Sequence, residues 1–145
     1  MKTTLESEYQ HANAIIMAAA VADWRPEKYS PEKLKKHPSN KSSINLVKNP
    51  DIISSINKPG LIKVGFAAET QDIELNARKK IDAKNLNFIV ANDITSDVSG
   101  FSSDNNKVVI IHSDSTLERL PLMSKYDVGN AILDRVKSGL APSTK

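Results

Sequence analysis

At 145 residues the chain is about one domain long, and no apolar run approaches the ~18 residues of a membrane span, so it reads as a soluble globular protein. It has no cysteine, which excludes disulfides, thiolate metal sites and thiol nucleophiles, and its first ten residues carry no signal-peptide core; a cytoplasmic setting fits both facts. A net charge of +3 weakly favours anionic ligands, and 5% aromatic residues supply no stacking platform for single strands, so neither nucleic acid nor membrane is expected as a partner.

Residues 3 to 12 predict a short helix with Leu5, Tyr9 and Ala12 on one side. "NAIIMAAAVA" (13–22) is a continuous apolar run, the pattern of a strand buried on both faces. Pro26, Pro31 and Pro38 then cut residues 24 to 40 into loop and short extended pieces. "SINLVKN" (43–49) reads as a strand, and "PDIISSIN" (50–57) as a helix with Pro50 in its first position and Asn49 as its cap. "LIKVGFAA" (61–68) is a second buried strand. "TQDIELNARKKIDAKN" (70–85) is a helix capped by Thr70, with Asp72 and Glu74 in its first turn. "LNFIVAND" (86–93) is a further buried strand, residues 94 to 106 a polar loop, and "KVVIIHS" (107–113) a strand whose hairpin partner is "STLERLPL" (115–122). A last helix, "SKYDVGNAILDRVKSGL" (124–140), takes Ser124 as its cap, and the tail after it frays.

Strands alternating with helices predict an α/β, Rossmann-like three-layer fold with a mainly parallel central sheet. With only five glycines there is neither a G-x-G-x-x-G nor a Walker A sequence. In open sheets of this kind ligands bind beyond the carboxyl ends of the strands. The buried strands here run out into "ADWRP", "AAET" and "NDITSD", so Asp23, Glu69, Asn92 and Asp93 are expected to converge on one edge.

Asp23 has two readings: a carboxylate beside the divalent metal of a nucleotide triphosphate, or a loop cap paired with Arg25. Lys33, Lys35 and Lys36 are either a solvated basic edge or part of a flap bringing cations to phosphates. At about 100° per residue, Ile73, Ala77 and Ile81 define an inward helical stripe; Lys80 and Lys84 fall within it, and Arg78 and Lys79 point elsewhere. Either both stems pass the core to reach water, or both reach one polyanion. "VKNPD" (47–51) joins a strand to a helix start, where exposed N–H groups favour a phosphate or a base. His11, His37 and His112 show no metal spacing, and neither a catalytic triad nor a glycosidase-type carboxylate pair is present.

Seven stretches in order, "AAAVADWRP", "PEKLKK", "LVKNPDI", "VGFAAET", "ARKKIDAKNLNFIVAND", "GFSSDNNKVVII" and "LPLMSKYDVGNAILD", resemble the C-terminal part of the phosphopantothenoylcysteine synthetase family over residues 13 to 136. The resemblance implies CTP-dependent ligation of 4′-phosphopantothenate with cysteine through an acyl-cytidylate, with Mg²⁺ on the triphosphate. FMN would belong to a fused or partner decarboxylase and not to this chain. By motif, the resemblance assigns Asp23 to the metal-triphosphate and Lys33, the first lysine of "KLKK", to a flap contact and the catalytic role. It assigns Val47, Lys48, Asn49, Pro50 and Phe66 to the nucleotide, Lys80 and Lys84 to the triphosphate, and Ala19 and Ala20 to strand backbone beside the ligand. It makes residues 1–145 a single partial synthetase domain without the family's glycine-rich N-terminal portion, inactive alone. It makes 24–48 a flap and dimerisation element, with 32–48 the homodimer interface. The absent glycine fingerprint counts against a dehydrogenase fragment. A non-catalytic regulatory or assembly relative is the alternative, and retention of Lys33, Lys80 and Lys84 counts against it.

Overall fold

A computed structural model of the chain describes residues 1–33, 43–69, 73–93 and 103–141. They divide into two compact units, Ala19–Ile52 and the remainder. The smaller unit holds strands β2 (Trp24–Pro26) and β3 (Leu46–Lys48).

The larger unit begins with helix α1 (Lys2–Glu8) and a 3₁₀ turn (Tyr9–His11). Leu5, Tyr9 and Ala12 pack on Ile15, Ile56 and Leu61, as their spacing predicts. The five-stranded sheet has the order β1 (Ala14–Met17), β4 (Ile62–Glu69), β5 (Phe88–Asp93), β7 (Val108–His112), β8 (Leu117–Arg119). β1, β4 and β5 are parallel, β7 is antiparallel to β5, and β8 is antiparallel to β7. Four of the five strands therefore run the same way. The period-2 alternation of β4 splits the core in two. Ala67 faces helix α2 (Ile73–Lys84) with Ala77, Ile81, Ile89 and Ile111. Ile62 and Val64 face helix α3 (Lys125–Leu140) with Phe88, Val90, Ile110, Val128, Ile132 and Val136. These are the three expected layers. A two-stranded pairing of β6 (Asn105–Asn106) with β9 (Met123–Ser124) leads into α3. Ser124 caps that helix, its Oγ accepting from the Asp127 N–H at 3.0 Å, as predicted. The proposed caps of α2, Thr70 and Asp72, lie outside the described residues; Glu74 is in its first turn.

Two expectations are corrected. The apolar run 13–22 is not a long central strand. It pairs only over Ala14–Met17, as an edge strand bonded to β4 alone among the described residues, and Ile16 is 39% exposed. Length and apolarity do not encode whether a second neighbour exists, and a strand with one neighbour and an open flank is half exposed. The helix predicted at 50–57 is only a hydrogen-bonded turn at 52–55. The buried side chains of this stretch are Ile53 and Ile56, three apart, which one turn suffices to place.

The β7–β8 hairpin is tied to α3 through Glu118. Its Oε2 accepts from Arg135 Nη2 at 2.6 Å and Nε at 3.1 Å, and its Oε1 lies 2.6 Å from His112 Nε2. The Arg135 hydrogen bond first, then that of His112, holds the Glu118 carboxyl below its ordinary value of 4.5, against the opposite pull of partial burial. A carboxyl depressed in the folded state stabilises above the unfolded pKa, and that stabilisation is lost as pH falls through the folded pKa. Glu118→Gln is therefore expected to flatten the fall in Tm below pH 4.5. An unaltered acid limb in a pH series of thermal melts would show that the tie carries no linkage.

Candidate functional site

The smaller unit is built on a two-stranded antiparallel ribbon, β2 with β3, in the register Trp24↔Lys48 and Arg25↔Val47. Its end is closed by Asn49. The Asn49 N–H donates to the Asp23 carbonyl at 2.7 Å, and its Nδ2 donates to the Ala22 carbonyl at 2.7 Å. Arg25 Nη1 donates to Asn49 Oδ1 at 2.9 Å and to the Lys48 carbonyl at 3.2 Å. The motifs "VADWRP" and "VKNP" thus meet at one ribbon end. Arg25 is spent on Asn49 and Lys48, so the pairing of Arg25 with Asp23 does not appear among its bonds. Asp23, Lys48 and Pro50 are exposed, and Val47 and Asn49 are half-buried.

Two placements depart from expectation. Asp23 does not end the apolar strand: β1 stops at Met17, and Ala19 and Ala20 lie in an exposed non-strand segment between β1 and the ribbon. The reason is that the run 18–22 has small side chains and no strand partner among the described residues. Lys33 is exposed and is the last described residue before 34–42; Lys35, Lys36 and most of the 32–48 interface lie outside the described residues. Trp24, 56% exposed, is not core packing within this unit.

In the larger unit the strand ends do align. Ala68 and Glu69 of β4 sit in register with Asn92 and Asp93 of β5. Asn92 Oδ1 accepts from Asn106 Nδ2 at 3.2 Å. The helical stripe is also as predicted: Ala77 and Ile81 are buried, Lys80 and Lys84 are half-buried, and Arg78 and Lys79 are exposed. Each of the two half-buried lysines has a polar interaction of its own.

The stripe leads somewhere unexpected. α2 leaves the end of β4 and returns to the start of β5, so its last turn lies at the sheet edge where β4 begins, not at the carboxyl edge. The proof is a contact: Lys63, second residue of β4, donates from Nζ to the Lys84 carbonyl at 2.6 Å. Phe66 is half-buried on the α3 face, across the sheet from both lysines. Lys80 and Lys84, one turn apart on one flank, are suited to an extended polyanion lying along the helix.

Among the described residues no group of three or more His, Asp or Glu side chains could hold a metal by itself. A cation carried in by phosphates and held through the one exposed carboxylate of Asp23 needs no such cage, which is how Mg²⁺ is usually bound with nucleotides. A separate cleft of about 610 Å³ is lined by Ile62, Phe88, His112, Glu118, Asp134 and Arg135, but the His112–Glu118–Arg135 set is satisfied internally. No helix among the described residues is long and apolar enough to cross a membrane.

Sequence reading missed Lys63. The signal was available as a lysine set inside the apolar run "LIKVGFAA".

Residues 1–140 match the family model described as the DNA/pantothenate metabolism flavoprotein C-terminal domain. The chain is 42% identical over 138 residues to the coenzyme A biosynthesis bifunctional protein CoaBC of Bacillus subtilis (strain 168), covering 94% of this chain and 34% of that protein. It is 38% identical over 143 residues to the CoaBC of Escherichia coli (strain K12), again covering 94% and 34%. A crystal structure of the C-terminal domain of CoaBC superposes with a TM-score of 0.75 at 31% identity, covering 96% of this chain and 60% of that one. The chain thus spans about a third of the length of the curated relatives it matches.

Proposed function

Since the chain belongs to the DNA/pantothenate metabolism flavoprotein C-terminal domain family, we propose that it supplies the nucleotide-binding part of a phosphopantothenate–cysteine ligase in coenzyme A biosynthesis, with CTP as co-substrate. The observation that carries this reading is the closed ribbon end, where Asn49 bonds two motifs that are far apart in the chain, Ala22 lying 27 residues before it. The half-buried lysine pair of α2 supports it independently.

In this reading the 4′-phosphopantothenate carboxylate attacks the α-phosphate of CTP, a P–O bond forms, and the bond to pyrophosphate breaks. Cysteine's amine then attacks the acyl-cytidylate carbonyl, expels CMP and forms the amide. Charge builds on the departing pyrophosphate, so cations aimed at it lower the barrier. Lys33 is the catalytic candidate, a cation on the flap. Lys80 and Lys84 hold the triphosphate, Val47, Lys48, Asn49, Pro50 and Phe66 contact the nucleotide, and Ala19 and Ala20 offer backbone with no large side chain in the way. Mg²⁺, held through Asp23 and the phosphates, would supply charge neutralisation there. FMN belongs to the decarboxylase part of a bifunctional partner or fusion. Trp24, Ile44 and Leu46, exposed on the smaller unit, support a second copy of the chain as the cover of the ribbon.

Calorimetric titration tests the reading. The chain is expected to bind CTP weakly, with Mg²⁺ required and CTP preferred to ATP, and to release no pyrophosphate when 4′-phosphopantothenate and cysteine are added. Equal binding of CTP and ATP would remove the base preference. Binding of neither would favour a non-catalytic relative, and pyrophosphate release by the isolated chain would refute its inactivity alone.

A further inference from the structure

Lys63 is the only buried charged residue among the described residues, 4% exposed at the second position of β4 and flanked by Ile62 and Val64. An ammonium taken out of water is costly unless its donors are met. Two of its three donors go to backbone: the Ile56 carbonyl at 3.0 Å and the Lys84 carbonyl at 2.6 Å.

The second partner is informative because of how α2 ends. Asn85 adopts a positive φ of 50°, and the chain closes the helix with two backward bonds, Asn85 N–H to the Asp82 carbonyl at 3.4 Å and Leu86 N–H to the Ile81 carbonyl at 3.0 Å. This closure takes up carbonyls 81 and 82. Lys63 donates to the carbonyl of Lys84 in the same last turn, and it brings a positive charge to the negative end of the helix. The same stretch is fixed from the backbone side: the Lys63 N–H donates to Asn87 Oδ1 at 2.7 Å, and the Asn87 N–H donates to the Lys63 carbonyl at 2.8 Å. The last turn of α2 is thus fastened to β4 at the residue whose side chain is a triphosphate ligand in the nucleotide reading, with Lys80 one turn behind it. A methionine of similar length would fill the same space without burying a charge. What the ammonium adds is a fixed position for Lys84.

We infer that Lys63 is a positioning residue for anion binding: through the Lys84 carbonyl it holds Lys84 and Lys80 where a polyphosphate can bridge them. The inference rests on the nucleotide reading of α2. It is tested by titrating Mg²⁺–CTP and, separately, inorganic tripolyphosphate into the wild-type chain, Lys63→Met, Lys84→Ala and the double variant, each below its melting temperature. Lys63→Met is expected to weaken both ligands about tenfold, a loss of about 1.4 kcal/mol, and to cost less than that in the Lys84→Ala background, where only the Lys80 contact is left to misplace. A purely structural lysine would lower Tm and leave affinity intact, or would give losses that add. Either result overturns the inference. Undiminished binding in Lys84→Ala would instead remove the nucleotide reading on which it stands. If Lys63→Met does not fold, Lys63→Gln, which keeps a donor without the charge, enters the same cycle; if neither folds, Lys63 is structural and the positioning role falls.

Discussion

Replacing Lys80 and Lys84 together by alanine is expected to weaken CTP binding by at least on the order of 100-fold, because each charge-assisted contact is worth about 1.5–3 kcal/mol and each factor of ten about 1.4 kcal/mol. The secondary structure is expected to survive. Like charges four apart on a helix repel by a few tenths of a kcal/mol, and their removal partly offsets the apolar cover lost with the two half-buried stems. The exposed neighbours Arg78 and Lys79 serve as the control: the same double substitution there removes equal charge from the same helix and is expected to change affinity by less than about threefold, as screened surface charges do. Calorimetry on the two double variants side by side separates a site from a general field. If both lose affinity alike, α2 attracts anions only by its net charge.

The second large effect is on stability. Ile110 is fully buried on β7, between Val90 of β5 and the β8 strand, and belongs to the α3-side core. Ile110→Ala is expected to cost about 2–5 kcal/mol in transfer and cavity terms, out of the roughly 5–15 kcal/mol that a domain has in total. At this size that lowers Tm by on the order of 10 °C. The edge residue Ile16, 39% exposed on β1, should lose only a fraction of that when shortened in the same way. Equal losses at the two positions in thermal melts would mean that β1 is as enclosed as β7.

The parts of the fold that were legible in sequence share one property: their signal is periodic and local. The stripe Ala77–Ile81 and its flanking lysines follow from 3.6 residues per turn. The cap at Ser124 follows from a hydroxyl before an apolar-periodic run, and the β7–β8 hairpin follows from two apolar runs around a short polar turn. What was not legible depends on neighbours distant in the chain. "NAIIMAAAVA" has the composition of a central strand, and only the sheet order reveals that it is an edge. "PDIISSIN" has a helix start, but two isoleucines at one-turn spacing anchor it as a turn. At the site, the face of α2 was readable and its direction was overlooked. A helix joining two parallel strands must run back along the sheet, so its C-terminal lysine belongs at the edge where the strands begin. Asn49 is the reverse case: read as a cap for a helix, it closes the ribbon.

The one-sided pairing of β1 among the described residues bears on how the chain behaves in a test tube. Its outer rim offers a row of backbone donors and acceptors, with Ile16 partly bare and no lysine or proline among Ala14–Met17 to blunt it. Such a rim is a template for strand addition by any other chain. At high concentration the isolated chain is therefore expected to aggregate through this rim, and Ile16→Lys would act as a solubilising gatekeeper.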